Sequence, residues 1–457
     1  MSSSAITKIA KIGRWILECT AFLLVIFVIG RAVLEQGAIA RSVGNGPSAL
    51  ADGGSDYDAL VTGLNYYIDG FTRNYGLPDR AAPAGKAYLD PADRPTWSGV
   101  YCHYPPGGNW MTGLGFYIFG PRNVPSYRSI PIGLSAVCFL ASYFFIRRVF
   151  GALLAAASMV VLIYVPMTTS MMHALYGHGY ATAILVLQTS YVFSCFRLQG
   201  FLRPRQLALV FLMGWFQGWL GFDYAFVASL YPLALGALCL SSPISKAGIL
   251  ATIAAGSGFS AAHGAHFMQV ALFRQSWASA YSDFFDTAMY RSGAIQDPEM
   301  VDSTTLHILH TYLIELLPGG QWGGTQAIYI GAVGVAVPLI SLVLAWAFQS
   351  VRRQVTSGVH LLSGLVISLV VSLMWEMVMQ QHSLVAAHKL FLPRHLVFFL
   401  FVCILSSSTF VYEIALGLWS RVFEGRASSS SLVHTGSDKE APCASRGGVT
   451  SSFGNRN

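Results

Sequence analysis

Apolar and polar positions follow two different periods along this chain. Ten stretches are almost wholly apolar, at 15–34, 125–147, 150–168, 178–196, 205–221, 223–241, 247–272, 325–348, 358–380 and 392–419. A helix rises about 1.5 Å per residue, so roughly 20 apolar residues match a bilayer core of about 30 Å. Each stretch therefore predicts a spanning helix, and soft boundaries put the count between nine and eleven. The stretch 247–272 is rich in Ala, Gly and Ser, which predicts a helix packed closely against its neighbours.

The second pattern lies between the first two stretches. Tyr57, Leu60, Val61, Leu64, Ile68 and Phe71 recur at helical spacing, with Asn65, Asp69 and Arg73 off that face. This predicts an amphipathic helix in the membrane interface, opening at Ser55-Asp56-Tyr57-Asp58 and stopping at Gly76-Leu77-Pro78. Further on, Pro105-Pro106 stiffens an extended segment, and Gly107-Gly108 lets it turn into a short apolar helix, Trp110–Phe119.

Lys8, Lys11 and Arg14 precede the first stretch, which places the N-terminus in the cytoplasm. Alternation then puts Arg147/Arg148, Arg197/Arg203/Arg205, Lys246, Arg352/Arg353 and the C-terminus on that side too. Residues 35–124, 274–324 and 381–391 face outward. The first apolar run is too long for a cleavable signal peptide, and no small-x-small site follows it promptly. Residues 1–423 read as the integral membrane domain. The Ser-rich tail 424–457 lacks periodicity and reads as disordered.

Composition agrees with this outline. Of the 457 residues, 54% are hydrophobic and only 11% charged, against about 25% charged in soluble domains. A soluble globular enzyme is excluded, and the expected class is an all-α polytopic membrane protein of about ten spans. The seven cysteines imply no disulfide framework, since most lie within spans. The net charge of +7 conceals a division: under this topology fifteen of the 21 acidic residues face outward. Basic residues such as Arg41, Arg80, Arg128 and Arg291 stand among them. An outer layer this charged and aromatic is folded, and it is where chemistry is expected.

Within it, Asp56 and Asp58 are candidate functional acids. The alternative is structural: Ser55 and Asp58 resemble a capping box, and acids suit the first turn of a helix. His103-Tyr104 sits on the stiff loop. Gln381-His382-Ser383, His388-Lys389 and Pro393-Arg394-His395 bracket the last span, so Lys389 and Arg394 could form an anion site. Snorkelling of basic side chains is the alternative there. The pair His263-x-x-His266 shares a helix face; hydrogen bonding inside a bundle explains it better than a metal.

The order of these features resembles GT-C type glycosyltransferases that use polyprenyl-phosphate sugars, similar to the protein O-mannosyltransferase and aminoarabinose transferase superfamily. The residues that carry it are Asp56-Tyr57-Asp58, His103-Tyr104-Pro105-Pro106-Gly107, Phe119-Gly120 and the span from Arg128 to Arg147-Arg148-Val149-Phe150-Gly151. It covers residues 10–200 well, and the rest by span count and Pro393-Arg394-His395. The resemblance implies a GT-C-like fold and an acid of the first outer loop, Asp56 or Asp58, as catalytic base. Glu35, directly after the first span, competes, because the family places its acid near that point. Arg394, Lys389, Arg128, His103 and Tyr104 would bind donor phosphate or substrate. The implied reaction is inverting and needs no nucleotide or other cofactor, and no metal is assigned. The partners would be a polyprenyl-phosphate sugar, a lipid, glycan or protein acceptor, and membrane lipids, with no nucleic acid. The setting would be a bacterial inner membrane.

Two rivals remain. A transporter or channel would place ionisable groups at mid-membrane, where this chain offers only Glu18, His263 and His266, with Glu376 nearer the outer end. An O-antigen ligase or polymerase would carry its large outer loop late in the chain rather than after the first span.

Overall fold

The computed structural model describes residues 3–48, 53–81, 99–240, 242, 244–292, 294, 324–347, 352–379 and 395–431. They are overwhelmingly helical, and their only β contact is an isolated antiparallel bridge between Asp79 and Val100. In chain order the helices are α1 (Ser3–Val43), α2 (Gly53–Asp69), α3 (Gly107–Phe119), the single turn α4 (Val124–Tyr127), α5 (Ser129–Phe150), α6 (Ala152–Tyr164) and the turn α7 (Pro166–Thr169). They continue as α8 (His178–Gln199), α9 (Pro204–Leu220), α10 (Ala225–Cys239), α11 (Lys246–Arg274), α12 (Trp277–Ser292), α13 (Gly324–Ala347), α14 (Arg352–Val378) and α15 (Leu396–Ser431). Two compact units divide the chain, Met1–Phe410 and Val411–Asn457.

Each of the ten apolar stretches coincides with a helix. Among the described residues, five helical segments are long and apolar enough to cross a membrane: Thr7–Val43, Val124–Phe150, His178–Gln199, Gly358–Val378 and Leu396–Leu416. Ala152–Tyr164 and Ala225–Cys239 are apolar but shorter. Large apolar side chains such as Phe27, Leu34 and Val137 point outward from the helices, as they do where the surroundings are lipid. The chain is an integral membrane protein of helical type.

Small residues bring helices together as the sequence predicts for 247–272. One stripe of α11, including Ala251, Ala255, Gly258 and Ala262, is buried. A methyl group on Gly258 would stand 2.0 Å from the carbonyl oxygen of Phe211 on α9, so only glycine allows this approach.

The amphipathic helix departs from expectation at both ends. It starts at Gly53, two residues before Ser55, and ends at Asp69 rather than at Gly76. Gly70, at φ +86°, stops it, since only glycine adopts that left-handed conformation without cost. Three more left-handed residues follow, Asn74 (φ 53°), Tyr75 (φ 57°) and Gly76 (φ 80°). Tertiary bonds hold this strained turn: the Tyr66 hydroxyl and Trp110 Nε1 both donate to the Gly76 carbonyl, and Gln269 Nε2 donates to that of Tyr75. α3 likewise starts at Gly107, three residues before the predicted point.

Candidate functional site

Two aspartates of α2 open the site, and the helix sends them to opposite sides. Asp56 is fully buried and its carboxylate is filled. The Arg128 guanidinium grips it with two nitrogens at 2.6 and 3.2 Å. The backbone N–H groups of Ser48 and Leu175 add bonds of 2.8 and 2.9 Å. Both side chains are 0% exposed. Arg128 spends its remaining reach on the carbonyls of His173 and Gly46, at 2.9 Å each. His173 lies beside them, bonded to Ser48 Oγ at 2.8 Å and Gln36 Oε1 at 2.7 Å. Burial, then the Arg128 cation, lower its pKa to about 4, so this imidazole stays neutral. The whole knot ties the end of α1, the start of α2, the start of α5 and the segment before α8. Asp56 and Arg128 have no open face.

Asp58 does. It lines a cleft of about 140 Å³ together with Arg80, Tyr101, Tyr104, His178 and Asp223. Its carboxylate meets Arg80 at 2.8 Å, with side chains 20% and 17% exposed. Arg80 is aimed from the strained turn onward. Its backbone N–H bonds to Gly99 at 3.1 Å, and that of Tyr101 bonds to Pro78 at 2.7 Å. These bonds lay the guanidinium over the Tyr101 ring, 3.4 Å from its centre. Tyr101 stacks on Tyr104 at 5.9 Å, and Arg291 of α12 covers Tyr104 from the far side at 4.4 Å. Cations over aromatic faces are favourable, and burial adds to the effect. Burial also raises the pKa of both phenols, so they remain neutral hydroxyls.

A His–Asp pair also lines the cleft. His178 Nε2 sits 2.8 Å from Asp223 Oδ2, with side chains 16% and 6% exposed. Asp223 also accepts from the Tyr104 hydroxyl at 3.4 Å. Between the walls the floor is backbone packed on backbone. A methyl group on Gly108 would fall 2.3 Å from the amide nitrogen of Gly177. One on Gly177 would fall 2.1 Å from the Leu220 carbonyl oxygen. Bulk at these points would separate α3, α8 and α9.

Of the residues the sequence put forward, Asp58 and Tyr104 line this cleft, while Asp56 and Arg128 lie in the sealed knot. His103 points away, bonding Thr287 Oγ1 at 2.8 Å and standing 3.6 Å from Asp283. Burial lowers its pKa, outweighing the pull of Asp283. Glu35 borders a separate groove with Phe27, Gly30, Arg31 and Leu34 on α1. Arg394 and Lys389 fall outside the described residues. Sequence reasoning missed Arg80, His178 and Asp223 as site residues. A signal existed for two of them, because His178 stands one residue after Gly177 and Asp223 two after Gly221, glycines that lie at breaks between apolar stretches. Among the described residues no group of three or more His, Cys, Asp or Glu is placed to hold a metal ion.

No family model and no curated protein matches this chain. Two solved structures from Archaeoglobus fulgidus are similar to it at a distance. One is the archaeal oligosaccharyltransferase AglB in complex with an inhibitory peptide and a dolichol-phosphate. It shows 12% identity and a TM-score of 0.41, over 90% of this chain and 52% of that one. The other is the oligosaccharyltransferase complex with zinc and sulfate, at 12% identity and a TM-score of 0.35, over 82% and 53%. This chain thus spans about half the length of those proteins. Likeness this distant assigns no function.

Proposed function

We propose that this chain is a membrane glycosyltransferase that moves a sugar from a polyprenyl-phosphate donor to a hydroxyl or amine acceptor, with Asp58 as general base. One observation carries the reading: Asp58, beside Arg80, lines a cleft that the His178–Asp223 pair also lines. Sugar transfer needs a group to take the acceptor proton as it attacks the anomeric carbon, and a carboxylate at the cleft wall serves. It also needs a cationic group at the departing phosphate, on the side of the sugar away from Asp58 and from the Arg80 guanidinium that Asp58 holds at 2.8 Å. Attack from the face opposite the phosphate inverts the anomeric centre.

The base assignment passes to Asp58 alone. Asp56 already accepts four hydrogen bonds and has no route to a substrate. Arg128 is the partner of Asp56 in this reading, not a phosphate contact, and Arg80 is the partner of Asp58. The transporter reading draws on Glu376 and His395, buried and 2.5 Å apart. Glu376 is two residues from the end of α14 and His395 directly precedes α15, so the pair closes helix ends rather than marking a mid-membrane path.

The cleft lies where the starts of α2, α3, α8 and α10 meet the end of α9. We assign that end to the outer face of a bacterial inner membrane, with both termini cytoplasmic. The acceptor is a lipid, glycan or protein. The test is transfer by the purified protein from a panel of polyprenyl-phosphate sugars. Activity with one of them, lost in Asp58→Asn at unchanged protein level, is expected. Full activity in Asp58→Asn ends the base assignment.

A further inference from the structure

We infer that His178, held by Asp223, is the proton-bearing phosphate contact of the cleft. As an imidazolium it binds the donor phosphate and protonates the oxygen that leaves the sugar. This deepens the transferase reading and rests on it for the identity of the substrate.

Three features support the assignment. His178 lines the same cleft as Asp58 but is paired with a different carboxylate, Asp223, and an inverting displacement needs its leaving group away from the base. Asp223 bonds the ring at 2.8 Å and is 6% exposed. A buried carboxylate fixes the ring orientation and favours its charged form, as in Asp–His pairs of other enzymes. His178 is also the first residue of α8, a helix of 22 residues. Its backbone N–H groups and the positive end of the helix dipole therefore stand beside the imidazole, which favours an anion there.

The charged and titratable neighbours come from several elements. Asp223 and Tyr224 precede α10, with the Tyr224 ring 6.2 Å from the imidazole. Tyr176 packs edge-on at 4.8 Å. Tyr104 binds Asp223, and Arg291 lies over Tyr104. Asp58 and Arg80 line the same cleft from α2 and the loop beyond it. His395, ahead of α15, meets the other edge of Tyr224 at 5.1 Å. Asp223 is the carboxylate in direct contact, so it governs the pair.

In the step, the acceptor oxygen forms a bond to the anomeric carbon and gives its proton to Asp58. The bond from that carbon to the phosphate oxygen breaks, and its electron pair stays on oxygen. His178 supplies a proton to this oxygen, which becomes a hydroxyl of the isoprenyl phosphate. Asp58 then releases a proton to water and His178 takes one up, so protons balance over a turnover.

The test is calorimetric titration of the full-length protein in detergent with farnesyl phosphate, a short isoprenyl monophosphate, from pH 5.5 to 7.5. In the wild type, affinity is expected to fall about tenfold over this range as the imidazolium is lost. In His178→Gln the pH dependence should flatten, while Asp58→Asn keeps it. Should His178→Gln fail to fold, Asp223→Asn is read instead, with the midpoint of the dependence shifted to lower pH. The same slope in His178→Gln as in the wild type overturns the inference, and so does a wild type that does not bind farnesyl phosphate. Failure of the underlying reading looks different. If the slope depends on His178 but no polyprenyl-phosphate sugar is turned over, the phosphate contact stands and the transferase reading falls. If Asp58→Asn abolishes transfer while His178→Gln keeps the wild-type slope, the reverse holds.

Discussion

Asp56 and Asp58 are two residues apart on one helix, and each holds an arginine, yet their surroundings differ completely. The Asp56–Arg128 pair is 0% exposed and takes backbone hydrogen bonds from two other segments, 46–48 and 173–175. The Asp58–Arg80 pair is about one-fifth exposed at a cleft wall, and its arginine lies over the Tyr101 ring. A carboxylate surrounded on every side serves as a joint. One with an open side can exchange a partner for a substrate. Chemistry of the residue does not separate these roles; the number of occupied directions does.

The contrast breaks most sharply at Arg128. Arg128→Ala leaves the Asp56 charge buried without its partner, a loss of about 3–5 kcal/mol. Folded protein in membranes should drop severely, as measured by yield and by thermal unfolding in detergent. Asp58→Asn should do the reverse: transfer falls about 100-fold or more, while the melting temperature stays close to the wild type. Equal melting temperatures in the two variants would erase the distinction between joint and site.

His173 makes the joint sensitive to acid. Its folded pKa, about 4, lies below the unfolded value of about 6.5. The unfolded chain therefore binds more protons between these values. The contribution is complete above pH 6.5 and is lost as pH falls toward 4, amounting to roughly 3 kcal/mol over that window. Thermal unfolding at pH 7 and pH 4.5 measures it, and His173→Gln should flatten this part of the profile. The smallest effect is expected at Arg80→Lys. It keeps the charge but gives up the planar contact with Tyr101, worth about 0.5–1 kcal/mol, so transfer should fall only a few-fold.

Much of the architecture was legible in the sequence, because spans announce themselves by length and hydropathy alone. All ten apolar stretches meet helices, and the small residues of α11 do bring it against α9. The site was legible only in part. Residues i and i+2 on a helix lie about 200° apart, so Asp56 and Asp58 could never have faced one cleft together. Which of them faces it depends on Arg128, 72 positions further along the chain, and no local pattern reports a contact that distant. Arg80 was hidden for another reason. Its direction follows from the left-handed turn at Asn74-Tyr75-Gly76, and Tyr75 is of a type that seldom adopts such a conformation. The helical periodicity running through Phe71 favoured a longer α2, but Gly70 ended it first.

The glycine floor of the cleft has a consequence for how this protein can change. Gly108 and Gly177 fill their places with hydrogen atoms alone, and any larger group would meet Gly177 N or Leu220 O at under 2.5 Å. The floor therefore cannot be raised, lowered or given new chemistry by a single substitution without moving three helices. On the proposed reading, variation in the sugar or acceptor then falls to lining side chains outside the glycine floor, such as Asn109. Relatives with different substrates should then share the bare floor and differ around its edge, much as locks cut from one blank differ only in their wards.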